Sequence, residues 1–161
     1  MALRTIRIDD DPILRKVSKP VKNFDKSLED ILNDMIETMN HAEGVGLAAP
    51  QIGILKRIFI IDVGEGVIEF INPEILEVNE EQIGEEGCLS VPGRYAIVKR
   101  PLKVKARAQN RMGEDFEIEA IELQARAILH EYDHLEGILY IDNIEGELKY
   151  GATRCDMKSI D

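Results

Sequence analysis

The strongest pattern of apolar residues lies between residues 25 and 42. Apolar side chains recur there at helical spacing, which places them on one face: Leu28, Ile31, Leu32, Met35, Ile36 and Met39. Ser27 and Asp30 are placed like an N-terminal capping pair. We therefore predict an amphipathic helix over residues 25–42. The glycine-rich segment after it cannot be the interior of a helix, because Pro50 would break it.

Two predicted hairpins occupy the middle of the chain. Residues 57–63 and 70–76 are rich in β-branched and aromatic residues, and a short turn with two glycines separates them. Residues 96–108 and 114–121 alternate between apolar and polar positions on either side of a turn at residues 110–113. Each pair of runs therefore predicts two antiparallel strands.

A second helix is predicted over residues 122–136, with Gly137 in the position that favours a left-handed cap. The opening segment, residues 9–21, contains two prolines and little periodicity, so we expect an ordered arm that wraps over the surface. No repeat or linker divides the chain, which predicts a single domain over residues 1–161. The fold class that these elements favour is α+β, with antiparallel β-sheets packed around a central buried C-terminal helix and the helix at residues 25–42 outside.

Composition narrows the classes of function. Hydrophobic residues make up 44% of the chain, charged residues make up 32%, and the formal net charge is -11. A nucleic-acid-binding surface needs clustered lysine and arginine, so this charge argues against a nucleic-acid partner. The start of the chain lacks the apolar core of a signal peptide, and no later run reaches the length of a membrane span. We therefore expect a cytoplasmic protein without a membrane partner.

The second predicted helix carries the sequence His130-Glu131-Tyr132-Asp133-His134. Its histidines are four positions apart, so both lie on one helical face and can bind one metal ion. A carboxylate beside metal-bound water suits hydrolysis, because the ion lowers the pKa of the water and Glu131 can take the proton. The histidines share a stripe with apolar residues, which points them inward. Ordinary core or surface histidines are the alternative that this pattern leaves open.

A catalytic metal ion normally has three protein ligands and one open position, so the two histidines need a third ligand. No histidine follows His134, and the later carboxylates Asp142, Glu145 and Glu147 fit no predicted helix. Cys88, in a predicted glycine-flanked loop, is the upstream candidate, because glycine permits close backbone approach and a cation stabilises the thiolate. An inert buried cysteine is the alternative.

Three segments occur in order along the chain: Gly44-Val45-Gly46-Leu47-Ala48-Ala49-Pro50-Gln51, Glu86-Gly87-Cys88-Leu89-Ser90 and His130-Glu131-Tyr132-Asp133-His134-Leu135. They resemble the three motifs of the peptide deformylase family. The likeness also includes Asp11-Pro12-Ile13-Leu14-Arg15 and Val98-Lys99-Arg100-Pro101, and it extends from the arm to about Asp142. Members of that family are metal hydrolases that remove the formyl group from the N-terminal methionine of newly made proteins.

The resemblance implies three metal ligands: Cys88, His130 and His134. It implies that Glu131 acts as the general base and then as the general acid. The oxyanion formed on the formyl group would be stabilised by the metal, by the Gln51 side-chain amide and by the Leu89 backbone N–H. The products would be formate and a peptide with a free methionine N-terminus.

The resemblance also implies how an N-formylmethionyl peptide binds. Gly46 and Gly87 would let the extended peptide pair with the backbone like an added strand. The pocket for the methionine side chain is assigned to three residues that could equally be simple core: Val45, Leu123 and Ala127. Glu86 and Arg100 would form an ion pair that supports the cysteine segment, with an exposed ion pair as the alternative.

One thiolate and two imidazoles suit Fe(II), Zn, Co or Ni, so the ligand types leave the metal open. The resemblance favours Fe(II) in the cell, with Zn, Ni or Co able to occupy the site in a purified sample. The chain departs from the family pattern at Leu129, where Gln is common, and in its tail. The tail lacks the basic helix by which some relatives dock on the ribosome, so we expect no tail-mediated docking. Cys155, in this tail, is interpreted as a free thiol without a catalytic role.

Two alternatives to this function remain open from the residues. A metalloprotease that uses the same helix would cleave internal peptide bonds and would keep its metal when Cys88 is replaced. A structural metal module would need a fourth protein ligand, such as His41 or Cys155, in place of the open position.

Overall fold

The computed structural model describes residues 2–151, so the expectation for Cys155 lies outside the described residues. Within this range the chain forms two α-helices, three short 3-10 helices and eight strands. The helices are α1 (Lys26–His41) and α2 (Glu122–Leu135), and the 3-10 helices are Pro12–Arg15, Ala49–Ile52 and Tyr140–Asn143. The strands are β1 (Gly46–Ala48), β2 (Ile58–Ile61), β3 (Ile68–Asn79), β4 (Gln82–Cys88), β5 (Val91–Arg100), β6 (Lys103–Gln109), β7 (Asp115–Ile121) and β8 (Ile144–Tyr150).

Helix α1 forms where the apolar spacing predicts it, but its N-terminal cap is not the predicted pair. Asp25 has an extended backbone, and its side chain accepts a hydrogen bond from Leu28 N at 3.2 Å. Ser27 and Asp30 lie inside the helix, where Asp30 forms an ion pair with Lys26. The capping prediction was therefore wrong, because the helix already begins at Lys26 and the Asp25 side chain caps the N–H group of Leu28 in its first turn.

The five-stranded sheet has the order β1-β2-β3-β6-β7, and its neighbouring strands are antiparallel. Strand β2 pairs with β3, with Ile61 opposite Ile68 at the glycine turn. Strand β6 pairs with β7, with Val104 opposite Ala120. The first predicted hairpin is confirmed, and the second is confirmed for the part formed by β6 and β7.

Strand β2 is buried on both faces, because a helix packs on each side of the sheet. Alternate side chains of a strand point to opposite faces. Phe59 and Ile61 pack in the apolar cluster that contains Ala127 of α2, whereas Ile58 and Ile60 pack in the cluster that contains Met35 of α1. The sheet therefore separates two apolar cores, and α1 covers the outer one.

The second sheet has three strands in the order β4-β5-β8, and it includes two strands, β4 and β8, that the apolar pattern did not predict. The run predicted over residues 96–108 is divided between the sheets, since β5 ends at Arg100 and β6 starts at Lys103. Pro101 has no N–H for a strand ladder, so the chain leaves one sheet and enters the other at this point. The prediction of one continuous strand was wrong.

Helix α2 packs against β1, β2, β6 and β7 of the larger sheet. On its other side, Arg126 Nη1 donates a hydrogen bond to Val98 O of β5 at 3.1 Å. Gly137 follows the helix with a φ of 74°, and Ile138 N donates to Asp133 O at 2.9 Å. The left-handed cap at Gly137 is confirmed, as is the α+β fold class with the histidine-bearing helix between the sheets.

The N-terminal arm is ordered and ties separate parts of the chain together. Arg7 N donates to Gln51 O at 2.7 Å, and Asp9 N donates to Ser90 O at 2.8 Å. The arm thus holds the segments that carry the first two motifs. Of the helices within residues 2–151, none is long and apolar enough to cross a membrane.

Gly137→Ala tests the contact between the end of α2 and the arm. A Cβ at Gly137 would lie 2.5 Å from the Arg15 backbone oxygen, and the φ of 74° strains any other residue. Gly93 is the matched control, because its φ is 75° but no atom lies within 4 Å of an added Cβ. Both alanine variants place a Cβ on a residue with positive φ, which costs about 1–2 kcal/mol. Only Gly137→Ala also brings its Cβ against the Arg15 backbone oxygen. We expect Gly137→Ala to melt at the lower temperature by circular dichroism; equal melting temperatures would contradict this contact.

Candidate metal centre

One sulfur and two imidazole nitrogens meet between β4 and α2. Cys88 is the last residue of β4, and His130 and His134 lie one turn apart on α2. Their ligand atoms are all within 4.8 Å of one another, and the exposed fractions of the three residues are 2%, 3% and 1%. The loop predicted around Cys88 was wrong, because Cys88 pairs with Val91 as part of the β4–β5 ladder. A strand and a helix, rather than a loop, position these side chains.

The donor set fits a tetrahedral divalent cation. Cys88 Sγ lies 3.3 Å from His134 Nε2. Bonds of about 2.3 Å to sulfur and about 2.0 Å to nitrogen, at a tetrahedral angle, put two such ligand atoms about 3.5 Å apart. Among residues 2–151 the metal-ligand group contains three residues, and His41 is not one of them. Three protein ligands are typical of a catalytic metal site, and a structural site normally has four.

Contacts on both sides orient the ring of His130. Its Nδ1 donates to Glu86 Oε1 at 2.7 Å, which leaves Nε2 available as a ligand atom. The ring of Tyr140 stacks on His130 with the ring centroids 6.0 Å apart, and the Tyr140 hydroxyl donates to Arg94 O at 3.1 Å. Sequence reasoning missed Tyr140, since only the return of the chain after α2 brings it to this ring.

Two N–H groups face the sulfur of Cys88. Ser90 N donates to Sγ at 3.4 Å, and Gln51 Nε2 lies 3.6 Å from Sγ. Gln51 also donates to Ser90 Oγ at 3.0 Å, and its Oε1 accepts from Ala48 N at 2.9 Å. These contacts hold the Gln51 amide beside the metal ligands, where the motif resemblance expects it.

Glu86 is a buried carboxylate that accepts hydrogen bonds from three side chains. Arg100 donates through Nε and Nη2 at 2.7 and 2.9 Å, Arg126 Nη1 donates at 2.6 Å, and His130 Nδ1 donates at 2.7 Å. Burial alone raises the pKa of Glu86, but the hydrogen bonds from Arg100 and His130 outweigh it and hold the pKa well below its ordinary value. Glu86 therefore stays ionised and fixes the orientation of His130.

Arg126 and Asp133 complete this ion network, and sequence reasoning did not include them. Arg100 Nη1 donates to Asp133 Oδ2 at 2.7 Å, so Arg100 bridges two carboxylates. Arg126 is 2% exposed and precedes His130 by one helical turn. A charged residue on the inward stripe of a helix needs a buried partner, and that was the available signal for Arg126.

Glu131 lies beside His130 without a strong hydrogen-bond partner among residues 2–151. Its Oε2 is 4.0 Å from His130 Nε2, and its Oε1 has no hydrogen-bond partner within residues 2–151. Burial is the main reason that the pKa of Glu131 is raised to about 7. A carboxyl group with a pKa near neutrality can accept a proton in one step and donate it in the next.

The two histidines have opposite pKa shifts. Burial lowers the pKa of His134 well below its ordinary value. Burial also acts to lower the pKa of His130, but hydrogen bonds with Cys88 and Glu86 raise it well above the ordinary value. A metal ion needs the neutral imidazole, so metal binding would displace a proton from His130 and become stronger as the pH rises.

The residues that the resemblance assigns to substrate binding lie in or next to the elements that form this centre, or in β1, which packs on α2. Val45, Leu123 and Ala127 belong to one apolar cluster beside α2. Gly46 lies in β1 against the Glu131 side chain, and buried Gly87 lies where the β4–β5 register is irregular. The side chain of Leu89 packs in the other apolar cluster, beside α1, and its backbone directly follows Cys88.

The chain is similar to known proteins over nearly all of its length. The family model of polypeptide deformylase matches residues 3–149. The peptide deformylase of Clostridium botulinum is 61% identical over 142 residues, which are 88% of this chain and 97% of that protein. The peptide deformylase of Caldicellulosiruptor bescii is 49% identical over an alignment that covers 100% of both chains.

Solved structures of peptide deformylases share this fold. The crystal structure from Thermotoga maritima has a TM-score of 0.89 at 48% identity, and the match covers 91% of this chain and 100% of that one. The structure from Synechococcus elongatus in complex with actinonin has a TM-score of 0.86 at 38% identity, covering 88% of this chain and 79% of that one. The chain belongs to the polypeptide deformylase family.

Proposed function

We propose that this chain removes the formyl group from N-formylmethionyl nascent peptides and that Cys88, His130 and His134 hold the divalent metal ion for this reaction. The observation that carries the proposal is the buried group of one thiol and two imidazoles beside a carboxyl group with a pKa of about 7. Family membership supports it, because polypeptide deformylases are metal-dependent hydrolases. A metalloprotease on the same helix would have no use for Cys88.

Glu131 is the proton carrier of the proposed mechanism. A bound divalent cation would polarise the formyl carbonyl and lower the pKa of a water molecule. Glu131 takes a proton from the attacking water and delivers it to the amine nitrogen when the C–N bond breaks. The water oxygen ends in formate, and the peptide leaves with a free methionine amino group.

Two N–H donors are assigned to the oxygen that becomes negative during this reaction. The Gln51 amide has two hydrogens, of which one is donated to Ser90 Oγ at 3.0 Å. The other points toward Cys88 Sγ, which lies 3.6 Å from Gln51 Nε2. This is a long contact that a substrate oxygen can replace. The Leu89 backbone N–H, next to Cys88, is the second donor.

The substrate is proposed to bind as an extended strand along Gly46 and Gly87, with the methionine side chain in an apolar pocket. The residues assigned to this pocket share one cluster: Val45, Leu123 and Ala127. We further infer that residues 1–161 form a single catalytic domain, because α2 contacts both sheets. We also propose that the reaction takes place in the cytoplasm, near the ribosome, because the proposed substrate is a nascent chain.

Glu131→Ala tests the proton carrier. We expect the variant to keep its metal ion, because Glu131 is not a ligand, and to lose about 10²- to 10⁴-fold in turnover, the usual contribution of a general base. Formate release from a formyl-methionyl tripeptide measures turnover, and elemental analysis measures the metal. Glu119→Ala, which removes an exposed carboxylate of β7, is the control and should keep the rate. An unimpaired Glu131→Ala enzyme would remove Glu131 from the mechanism.

Fe(II) is the metal that we propose for the cell. A ferrous ion bound to a thiolate is sensitive to oxygen, so we expect the iron form to lose activity in air, whereas the nickel or cobalt form keeps it. The measurement is residual formate release after timed exposure of each form to air. Equal decay of all metal forms would argue against iron at this site.

Arg100→Met and Arg126→Met test the support of Glu86. Arg100→Met removes two hydrogen bonds to Glu86 and one to Asp133, whereas Arg126→Met removes one to Glu86 and one to Val98 O. Breaking a buried ion pair costs about 3–5 kcal/mol, so we expect a loss of this size in the free energy of unfolding for Arg100→Met and a smaller loss for Arg126→Met. Metal affinity, measured by competition with a chelator, should fall about 10- to 100-fold for Arg100→Met. Unchanged metal affinity in Arg100→Met would show that Glu86 does not need this partner.

A further inference from the structure

Gly46 lies closer to the Glu131 side chain than any residue with a Cβ could. A Cβ built on Gly46 would be 2.5 Å from Glu131 Oε2 and 2.9 Å from both Cδ and Cγ. Carbon atoms pack at about 3.5–4.0 Å, so these distances are far inside normal contact. The Glu131 carboxylate therefore occupies the space that a side chain at position 46 would need.

The strand that carries Gly46 cannot easily move away from α2. In β1, Gly46 pairs with Ile61 and Ala48 pairs with Phe59 across the ladder with β2. Just before the strand, Val45 O accepts a hydrogen bond from Asp62 N at 2.8 Å. The strand is held at both ends, so an added methyl group would displace the Glu131 carboxylate instead.

We propose that Gly46 is a positioning residue for Glu131: its missing side chain sets where the carboxylate of the proton carrier lies. This inference rests on the proposed function of Glu131 and goes beyond the role of Gly46 in backbone pairing with a peptide. Pairing with a peptide uses the N–H and C=O groups, which an alanine also has. The distances to Glu131 make glycine necessary even before a substrate binds.

The effect on catalysis should appear in kcat. A displacement of about 1 Å in a reacting group can cost about 100-fold in rate, so we expect Gly46→Ala to lower kcat by about that factor. A role limited to peptide binding would instead raise KM and leave kcat unchanged. Formate release from a formyl-methionyl tripeptide is measured over a range of substrate concentrations with the nickel-loaded enzyme. This measurement separates an effect on kcat from an effect on KM.

Gly44→Ala is the matched control in the same segment. A Cβ at Gly44 would lie 2.8 Å from Leu89 Cδ1, which is the end of a flexible side chain. None of the three atoms nearest to this Cβ belongs to Glu131. We expect kcat to change much less in Gly44→Ala than in Gly46→Ala. Equal losses of kcat in the two variants would assign the effect to the segment as a whole and overturn the inference.

Thermal unfolding tests the contact without any measurement of activity. Forcing a methyl group into a packed site is expected to lower the melting temperature of the metal-loaded protein by about 4 °C. The same Gly46→Ala change in a Glu131→Ala background should lower it by much less, because the atoms that the methyl group meets are gone. An equal shift in both backgrounds would overturn the inference.

The two sets of measurements keep the proposals separate. If the wild-type protein releases no formate, the proposed function fails, while the unfolding experiment still tests the contact between Gly46 and Glu131. If the wild type is active and Gly46→Ala keeps its kcat, the proposed function stands and the positioning role of Gly46 is rejected.

Discussion

The rest of the candidate metal centre depends on the hydrogen bonds and ion pairs of one buried carboxylate, that of Glu86. A charged group out of water is costly unless it is paired and fully hydrogen-bonded. Arg100 from β5 and Arg126 and His130 from α2 provide this compensation to a residue of β4. One side chain therefore joins the smaller sheet to the central helix and orients the ring of His130, a proposed metal ligand, at the same time.

The same short stretch of β4 also carries the sulfur. Cys88 follows Glu86 by two positions, and both side chains face α2: Glu86 Oε1 accepts a hydrogen bond from His130, and Cys88 Sγ lies 3.3 Å from His134 Nε2. Glu86 thus connects the strand that carries the sulfur to the helix that carries both imidazoles, so the packing of the smaller sheet on α2 and the geometry of the candidate metal centre rest on the same contacts.

Local patterns in the sequence were sufficient to predict the elements whose apolar residues recur at a regular spacing. The amphipathic spacing of α1 and the alternation of β6 and β7 reflect one buried face each, so both are visible in a single sequence. Strands β4 and β8 were missed, because charged residues and glycines interrupt their apolar positions. Strand β8 also pairs with β5, which is distant from it in sequence. The contacts of Tyr140 and Asp133 were missed because their hydrogen-bond partners, Arg94 and Arg100, are distant in sequence.

The carboxyl groups of Glu86 and Glu131 lie on either side of His130. Their environments differ, and this difference suits them to different roles. Glu86 accepts hydrogen bonds from two guanidinium groups. Its hydrogen bonds with Arg100 and His130 outweigh burial and hold its pKa well below the ordinary value, so it stays ionised and orients the imidazole. Glu131 is equally buried but accepts no hydrogen bond from a guanidinium group of residues 2–151, and burial raises its pKa to about 7. The same chemical type therefore suits a fixed charge at position 86 and, in the proposed mechanism, a proton carrier at position 131, because these two arginines lie on only one side of the ring.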